Sequence, residues 1–362
     1  MPFIVADRVK ETSVSIGSGP IALGGAMTGF QSFSAKCAIG DTFYYAIQEV
    51  DSGGSPSGEW ECGLGTYSAA NTLTRTLVTA SSTAGVAVEF MDGAKQVFIT
   101  MPAAQVAWLR ERLTANRTYY VSPTGSDAND GRTAESPFAT IQRAVDVVAN
   151  TLDAAGFAVT IQLADGTYTS GASMRLLVGA GVLTINGNST TPENVVVAVV
   201  SSTAFLSSIE GLTLSVNHLK ITVATSGAAL YATSGGTIRW NNLVFGACAS
   251  AHIYAISGRA ICYGNYDISG GSAYHWYASN NGRIEVSSRT ITITNTPAFT
   301  ARFAYSAQMS SVIVPSNTFS GGATGSRYLV ELQSMIYTAS TTTYLPGSAS
   351  GVATTATYGL YA

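Results

Sequence analysis

Apolar residues along the chain follow two rhythms, alternation within short runs and a return about every 23–27 residues. In residues 1–101 the short runs are cut by turn signals. Val14-Ser15-Ile16 stops at Gly17-Ser18-Gly19-Pro20, and Tyr44-Tyr45-Ala46-Ile47 leads to a polar loop at 51–56. Residues 59–67 alternate before a turn, and 96–101 close the set. Strands at this spacing with Gly and Pro turns predict a small β-sandwich or barrel.

Residues 102–117 change period. Val106, Leu109 and Leu113 fall at i, i+3 and i+7 behind Pro102, which suits a first helical turn. So short a helix is marginal alone in water. It is expected either as an oligomeric neck or as a helix docked on its own domain. A second helical face follows at Phe138, Ile141, Val145, Val148 and Leu152, with Ser136 as cap and Pro137 at the first position. Val159, Ile161 and Leu163 then alternate up to a turn at Asp165-Gly166.

The rest repeats. Segment 230–238 (LYATSGGTI) returns as 253–261 (IYAISGRAI) and as 276–284 (WYASNNGRI). Weaker copies begin at Phe205, Phe303 and Leu329, so the steps are 25, 23, 23, 27 and 26 residues. That length suits one coil of a parallel β-helix, with the first residue of each copy in an inward apolar column. Leucine-rich repeats share the period but need a leucine consensus that is absent here. An amphipathic helix at 138–152 would cover the exposed core and unpaired backbone at the end of such a stack.

Composition narrows the function classes. Charged residues are 11% of 362, against about 25% in an average protein. Net charge is 18 − 21 = −3, without the basic face that phosphate backbones require, so no nucleic-acid partner is expected. Apolar residues make up 46%, enough for a sizeable core. No apolar run reaches 18 residues, so no membrane insertion is expected, and the N-terminus meets charge at Asp7 without a signal-peptide stretch. Cys37, Cys62, Cys248 and Cys262 form no CxxC pair and read as reduced, buried hydrophobes rather than a disulfide framework or zinc site. No cofactor motif is present, and none is expected.

Several segments carry a resemblance. Residues 5–12 (VADRVKET), 28–33 (TGFQSF), 60–67 (WECGLGTY), 73–76 (LTRT) and 97–100 (VFIT) resemble the attachment domain that opens tailed-phage fibre and tailspike proteins. The match spans about residues 3–102. Residues 118–140, and the phrase DGTY at 165–168, resemble the entry to right-handed parallel β-helix proteins of the pectate-lyase-like class. The expected organisation is all-β: a virion-attachment domain at 1–101, a helical neck at 102–117, and a right-handed β-helix with a capping helix at 118–362. Resemblance to tailspikes further implies a homotrimer, joined to a tail or head vertex through residues 1–101. Residues 339–362 read equally as a last coil, a tip or a clasp between subunits.

Phage β-helices of this kind either bind or cleave host polysaccharide. Cleavage by paired carboxylates needs two of them within about 5–9.5 Å. Residues 205–362 contain four acids, Glu210, Asp267, Glu285 and Glu331, and no two share a column of the repeat. Asp267 and Glu285 lie in adjacent rungs about 16 Å out of register, at about 3.3 Å per residue. They are the first suspects if the protein is a depolymerase. Asp127-Ala128-Asn129-Asp130-Gly131 departs from a calcium loop in spacing and lacks the late Glu, so no metal is expected. His252 and His275, one repeat apart, are predicted as stacked surface residues.

Aromatic residues point to binding. Tyr231, Tyr254 and Tyr277 share a column beside the inward one; Trp240 adds to them, as do Tyr263, Tyr266 and Tyr274, which flank Gly-rich turns, with Arg259 and Arg283 nearby. Exposed aromatics with sparse charge suit either sugar rings or a subunit interface. The column at 231, 254 and 277 is left open between the two. Tyr263, Tyr266, Tyr274, Tyr277, Arg259 and Arg283 are the expected carbohydrate contacts. The expected function is a virion spike that binds a host-surface glycan, with a depolymerase or a ligand-free scaffold fibre as alternatives.

Overall fold

The computed structural model describes residues 2–103, 110–179 and 182–362. The chain divides into two compact units, Met1–Leu109 and Arg110–Ala362.

In the first unit six strands form one antiparallel, barrel-like sheet. Their order is Lys10–Ser13, Lys95–Ile99, Thr42–Val50, Pro56–Ala69, Thr72–Ser81 and Ile21–Ala22. Alternation along Thr42–Val50 turns Phe43, Tyr45 and Ile47 inward against Phe33, Leu73, Phe90 and Val97. Gly63 sits where two strands crowd together, and a Cβ there would meet the Leu77 carbonyl oxygen at 2.0 Å. Val14 and Ile16, expected in a strand, are exposed beyond the strand end at Ser13. Serine hydroxyls compete with the ladder there: Ser13 Oγ accepts from the Ser15 amide and Ser15 Oγ from the Ala22 amide.

A charged pair lies inside this sheet. Glu61 and Arg75 meet at 2.9 Å with side chains 0% and 3% exposed. The Glu61 carboxylate also accepts from the Tyr45 hydroxyl at 2.5 Å and the Val88 amide at 2.7 Å. Arg75 also donates to the carbonyls of Gly17, Gly19 and Val88 and lies over the Phe90 ring. Burying two charges is tolerable only with this density of partners.

The second unit is a parallel β-solenoid of about eight turns. Each turn visits three sheets. The first face has ten strands, from Arg117–Val121 to Leu360–Tyr361; the second has seven, from Gly166–Tyr168 to Thr318–Ser320; the third has nine, from Ala172–Ser173 to Val352–Ala353. The predicted inward column holds through Phe205, Leu230, Ile253 and Trp276, each paired with the next. It then slips. Trp276 pairs with Ala304 rather than Phe303, and Ala304 with Tyr328 rather than Leu329. An irregularity between Ser272 and Tyr274 shifts the register by one residue.

The capping helix, α1, runs Ile141–Thr151 and buries Ile141, Ala144, Val145, Val148 and Ala149 in the same core as the coils. Its N-cap is Thr140, whose side chain accepts from the Arg143 amide, and not Ser136. Phe138 precedes the helix and is buried in a bridge to Val121. Asp127 explains the shift: its carboxylate binds the Ala139 and Thr140 amides and the Thr140 hydroxyl, each at 2.9 Å, and holds the chain extended to that point.

Of the predicted neck, Val106 and Leu109 lie outside the described residues. Residues 110–117 are not helical. Glu111–Arg112 pair in parallel with Leu152–Asp153, Leu113 is buried in the solenoid core, and Arg117 begins a first-face strand. At Leu113, the last position of the predicted seam, burial against the solenoid core and the strand pairing beside it hold the chain extended.

Removing Arg75 would leave Glu61 charged and buried without its counter-ion. Arg75→Leu is expected to destabilise the first unit by about 3–5 kcal/mol. Hydrogen exchange should accelerate in Thr42–Val50 and Pro56–Ala69 and stay unchanged in the coils.

Candidate functional site

Parallel register turns sequence positions into surface columns. On the third face, the residue after each inward position points outward, giving Leu206, Tyr231, Tyr254, Tyr277, Tyr305 and Leu329 in successive coils. The four tyrosines are half-buried and touch in series, with centroids 5.7, 5.0 and 4.9 Å apart. Tyr274 widens the strip, 4.9 Å from Tyr277 and 5.8 Å from Tyr305. Burial raises the pKa of Tyr254, Tyr274 and Tyr305, so their hydroxyls stay neutral and serve as both donors and acceptors. Tyr305 donates to Glu331 at 2.9 Å. At its early-coil end the strip opens into a groove of about 500 Å³, lined by Gln142, Ser170, Ser173, Thr203, Leu206 and Tyr231, among others. Tyr305 escaped the sequence reading because its copy was aligned on Phe303, one residue early.

Tyr266 is not a surface contact. It is buried inside the coils with His252 and His275, which are also buried rather than stacked on the surface. In Ala251–Ile256 and Ser272–Ser279 alternation breaks at the strand start, so each histidine and the residue after it both face inward. The two imidazoles meet Nδ1 to Nδ1 at 2.8 Å. His252 Nε2 lies 3.0 Å from the Gly246 carbonyl, and His275 Nε2 lies 2.8 Å from the Tyr266 hydroxyl. Neutral rings allow one proton order. His252 donates from Nε2 to the carbonyl, His275 donates from Nδ1 to His252, and Tyr266 donates to His275. Phe245, Phe299, Phe303 and Trp276 enclose the chain. Burial pushes the His252 pKa down to about 3; burial, then the neighbouring His252, lowers His275 well below its ordinary value.

The other expected contacts lie on the first face. Arg259 and Arg283 pair in adjacent coils, and both reach Glu285, at 2.5 and 2.8 Å. Burial pushes the Glu285 carboxyl up, but the hydrogen bond from Arg259 and the two guanidinium charges outweigh it, and its pKa is lowered. Tyr263 is 51% exposed beneath the Arg239 guanidinium, 5.1 Å from the ring centroid. Sequence reasoning passed over Arg239, although it stands two residues beyond Thr237, the pairing partner of Arg259.

Asp267 belongs to the second face, where it pairs with Thr292, and burial raises its carboxyl. Glu285 belongs to the first face. The two suspects for acid–base work therefore point from different sides of the coil. Among the described residues no three His, Cys, Asp or Glu side chains are grouped to hold a metal ion. All four cysteines are free; Cys37, Cys248 and Cys262 are buried and Cys62 is half-buried.

In comparisons with protein-family models, curated proteins and solved structures, the chain matches none.

The histidine chain makes stability depend on pH. Unfolded imidazoles bind protons near pH 6.5, whereas folded His252 does not until about pH 3 and burial holds folded His275 well below its ordinary range. The unfolded state therefore holds more protons between these limits, and stability falls as pH drops through that window. The Tm is expected to decline from pH 7 to pH 5 and to decline less in His252→Leu/His275→Leu. A wild-type Tm that stays flat over that range would contradict the assignment.

Proposed function

We propose that this protein is a receptor-binding spike of a tailed phage or phage-like particle. The first unit attaches it to the virion, and the solenoid binds host-surface polysaccharide through the tyrosine strip of the third face. The observation that carries the reading is the continuous strip from Tyr231 to Tyr305, opening into a groove whose lining includes the side chains of Gln142, Ser170, Ser173 and Thr203. Half-exposed rings offer apolar faces to sugar rings, and neutral hydroxyls offer hydrogen bonds to theirs. Sparse charge nearby suits a ligand rich in hydroxyls.

The attachment role rests on the resemblance of residues 3–102. Two of its segments supply Glu61 and Arg75, the pair that braces the first unit. A homotrimer, implied by the same resemblance, belongs to the proposal. Depolymerisation by this carboxylate pair within one subunit does not, because Asp267 and Glu285 lie on different faces of one chain.

The test pairs binding with cleavage. The full chain is incubated with purified capsular and lipopolysaccharide glycans of candidate hosts, while bound protein and new reducing or unsaturated ends are followed together. Binding without new ends is expected, weakened at least about tenfold in Tyr254→Ala/Tyr277→Ala, as for loss of central aromatic anchors. Unchanged glycan binding with a lost oligomer would make the strip a subunit interface instead. A chain lacking residues 1–101 should be left out of particles; its incorporation would refute the attachment role.

A further inference from the structure

The first face carries a second surface of different chemistry. Arg259 and Arg283 pair directly across adjacent coils, and adjacent strands lie only about 4.8 Å apart. Like charges directly opposite in a sheet repel. One carboxylate, Glu285, answers both, and it does so at their Nε atoms. The terminal nitrogens of both guanidiniums hydrogen-bond to no described residue, and each side chain is 49% exposed.

Arg239 adds a third cation in the coil before Arg259, two positions along the strand. It forms no ion pair or hydrogen bond with a described residue, and its Nε is buried without a partner. Its guanidinium is held over the Tyr263 ring. Three guanidiniums against one carboxylate leave a local charge of about +2 on a coil surface otherwise poor in charge. Glu285, held ionised, braces two of them at Nε and leaves their half-exposed terminal nitrogens without a partner among the described residues.

We infer that Arg239, Arg259, Arg283 and Tyr263 form an anion subsite, which takes the acidic group of a charged polysaccharide. An anionic oxygen pair matches the planar guanidinium fork, and Tyr263 offers a ring for the sugar that bears it. Three cations clustered in successive coils are too few and too local for a nucleic-acid backbone path, which needs a basic stripe. The inference shares the ligand class of the proposed function but stands on a different face and different residues.

The experiment measures retention of the full chain on immobilised polygalacturonate, dextran sulfate, neutral dextran and single-stranded DNA. The first two arms distinguish a carboxylate from a sulfate as the recognised group. Arg239→Gln, Arg259→Gln/Arg283→Gln and Arg239→Lys are compared with Arg302→Gln, a third-face control. Tm and oligomeric state are followed for each, and Arg239→Lys retains the charge should a glutamine variant fail to fold. Wild type is expected to bind at least one acidic polymer, with affinity falling as salt rises. Arg239→Gln and the double variant should each lose at least tenfold, Arg239→Lys should lose less, and Arg302→Gln should bind as wild type does. The loss in the arginine variants should disappear at high salt, whereas loss of the tyrosine strip lowers glycan binding at any salt, so failure of the strip and failure of this subsite give different results. The inference is overturned if wild type binds neither acidic polymer, if Arg302→Gln loses as much as Arg239→Gln, or if DNA is preferred to both polymers.

Discussion

Everything in the second unit depends on one repeated contact: a side chain inside the coil rests on the side chain at the same position one strand spacing away. Phe205, Leu230, Ile253 and Trp276 form such a column, and each is buried on both sides by its neighbours. Their apolar contact supplies the stabilisation, and the parallel hydrogen bonds set the register. α1 supplies the same cover to the first coils that each coil supplies to the next.

Once the register is set, chemistry follows it outward. A tyrosine column can exist only because four coils keep the same phase, and the stacked Arg259 and Arg283 exist for the same reason. Inside, the same rule places His252 over His275, where the preceding coil has Ala229 and the following one Phe303. The imidazole pair occupies a position that is otherwise apolar and is held there by one proton order from Tyr266 to the Gly246 carbonyl. The first unit handles buried polarity differently, surrounding Glu61 and Arg75 with fixed donors and carbonyls.

Much of this was legible in the residues, and the failures share a cause. The repeat at 230, 253 and 276 gave the solenoid and the outward tyrosines because register there is strict. Counting along one copy does not say where a corner falls or where alternation breaks. His252, His275 and Tyr266 were therefore placed on the surface when a local break turns the histidines inward and a corner turns the tyrosine in to meet them. The slip after Trp276 hid Tyr305. Ser136 lost the cap to Thr140 because a carboxylate twelve residues before Ala139, at Asp127, binds the backbone there, a contact no local pattern contains. The separation of Asp267 from Glu285 was readable as an offset of five residues, and it is a change of face.

Coils 23 residues apart are repeated units of structure, and one more copy would extend the stack. A duplicated coil enters between two others without disturbing the barrel-like first unit or α1, because each coil answers only to its neighbours. Every such duplication copies one outward tyrosine with its inward partner, as at Leu230-Tyr231 and Ile253-Tyr254. The surface strip would thus lengthen by whole steps, one outward ring for each coil added in register.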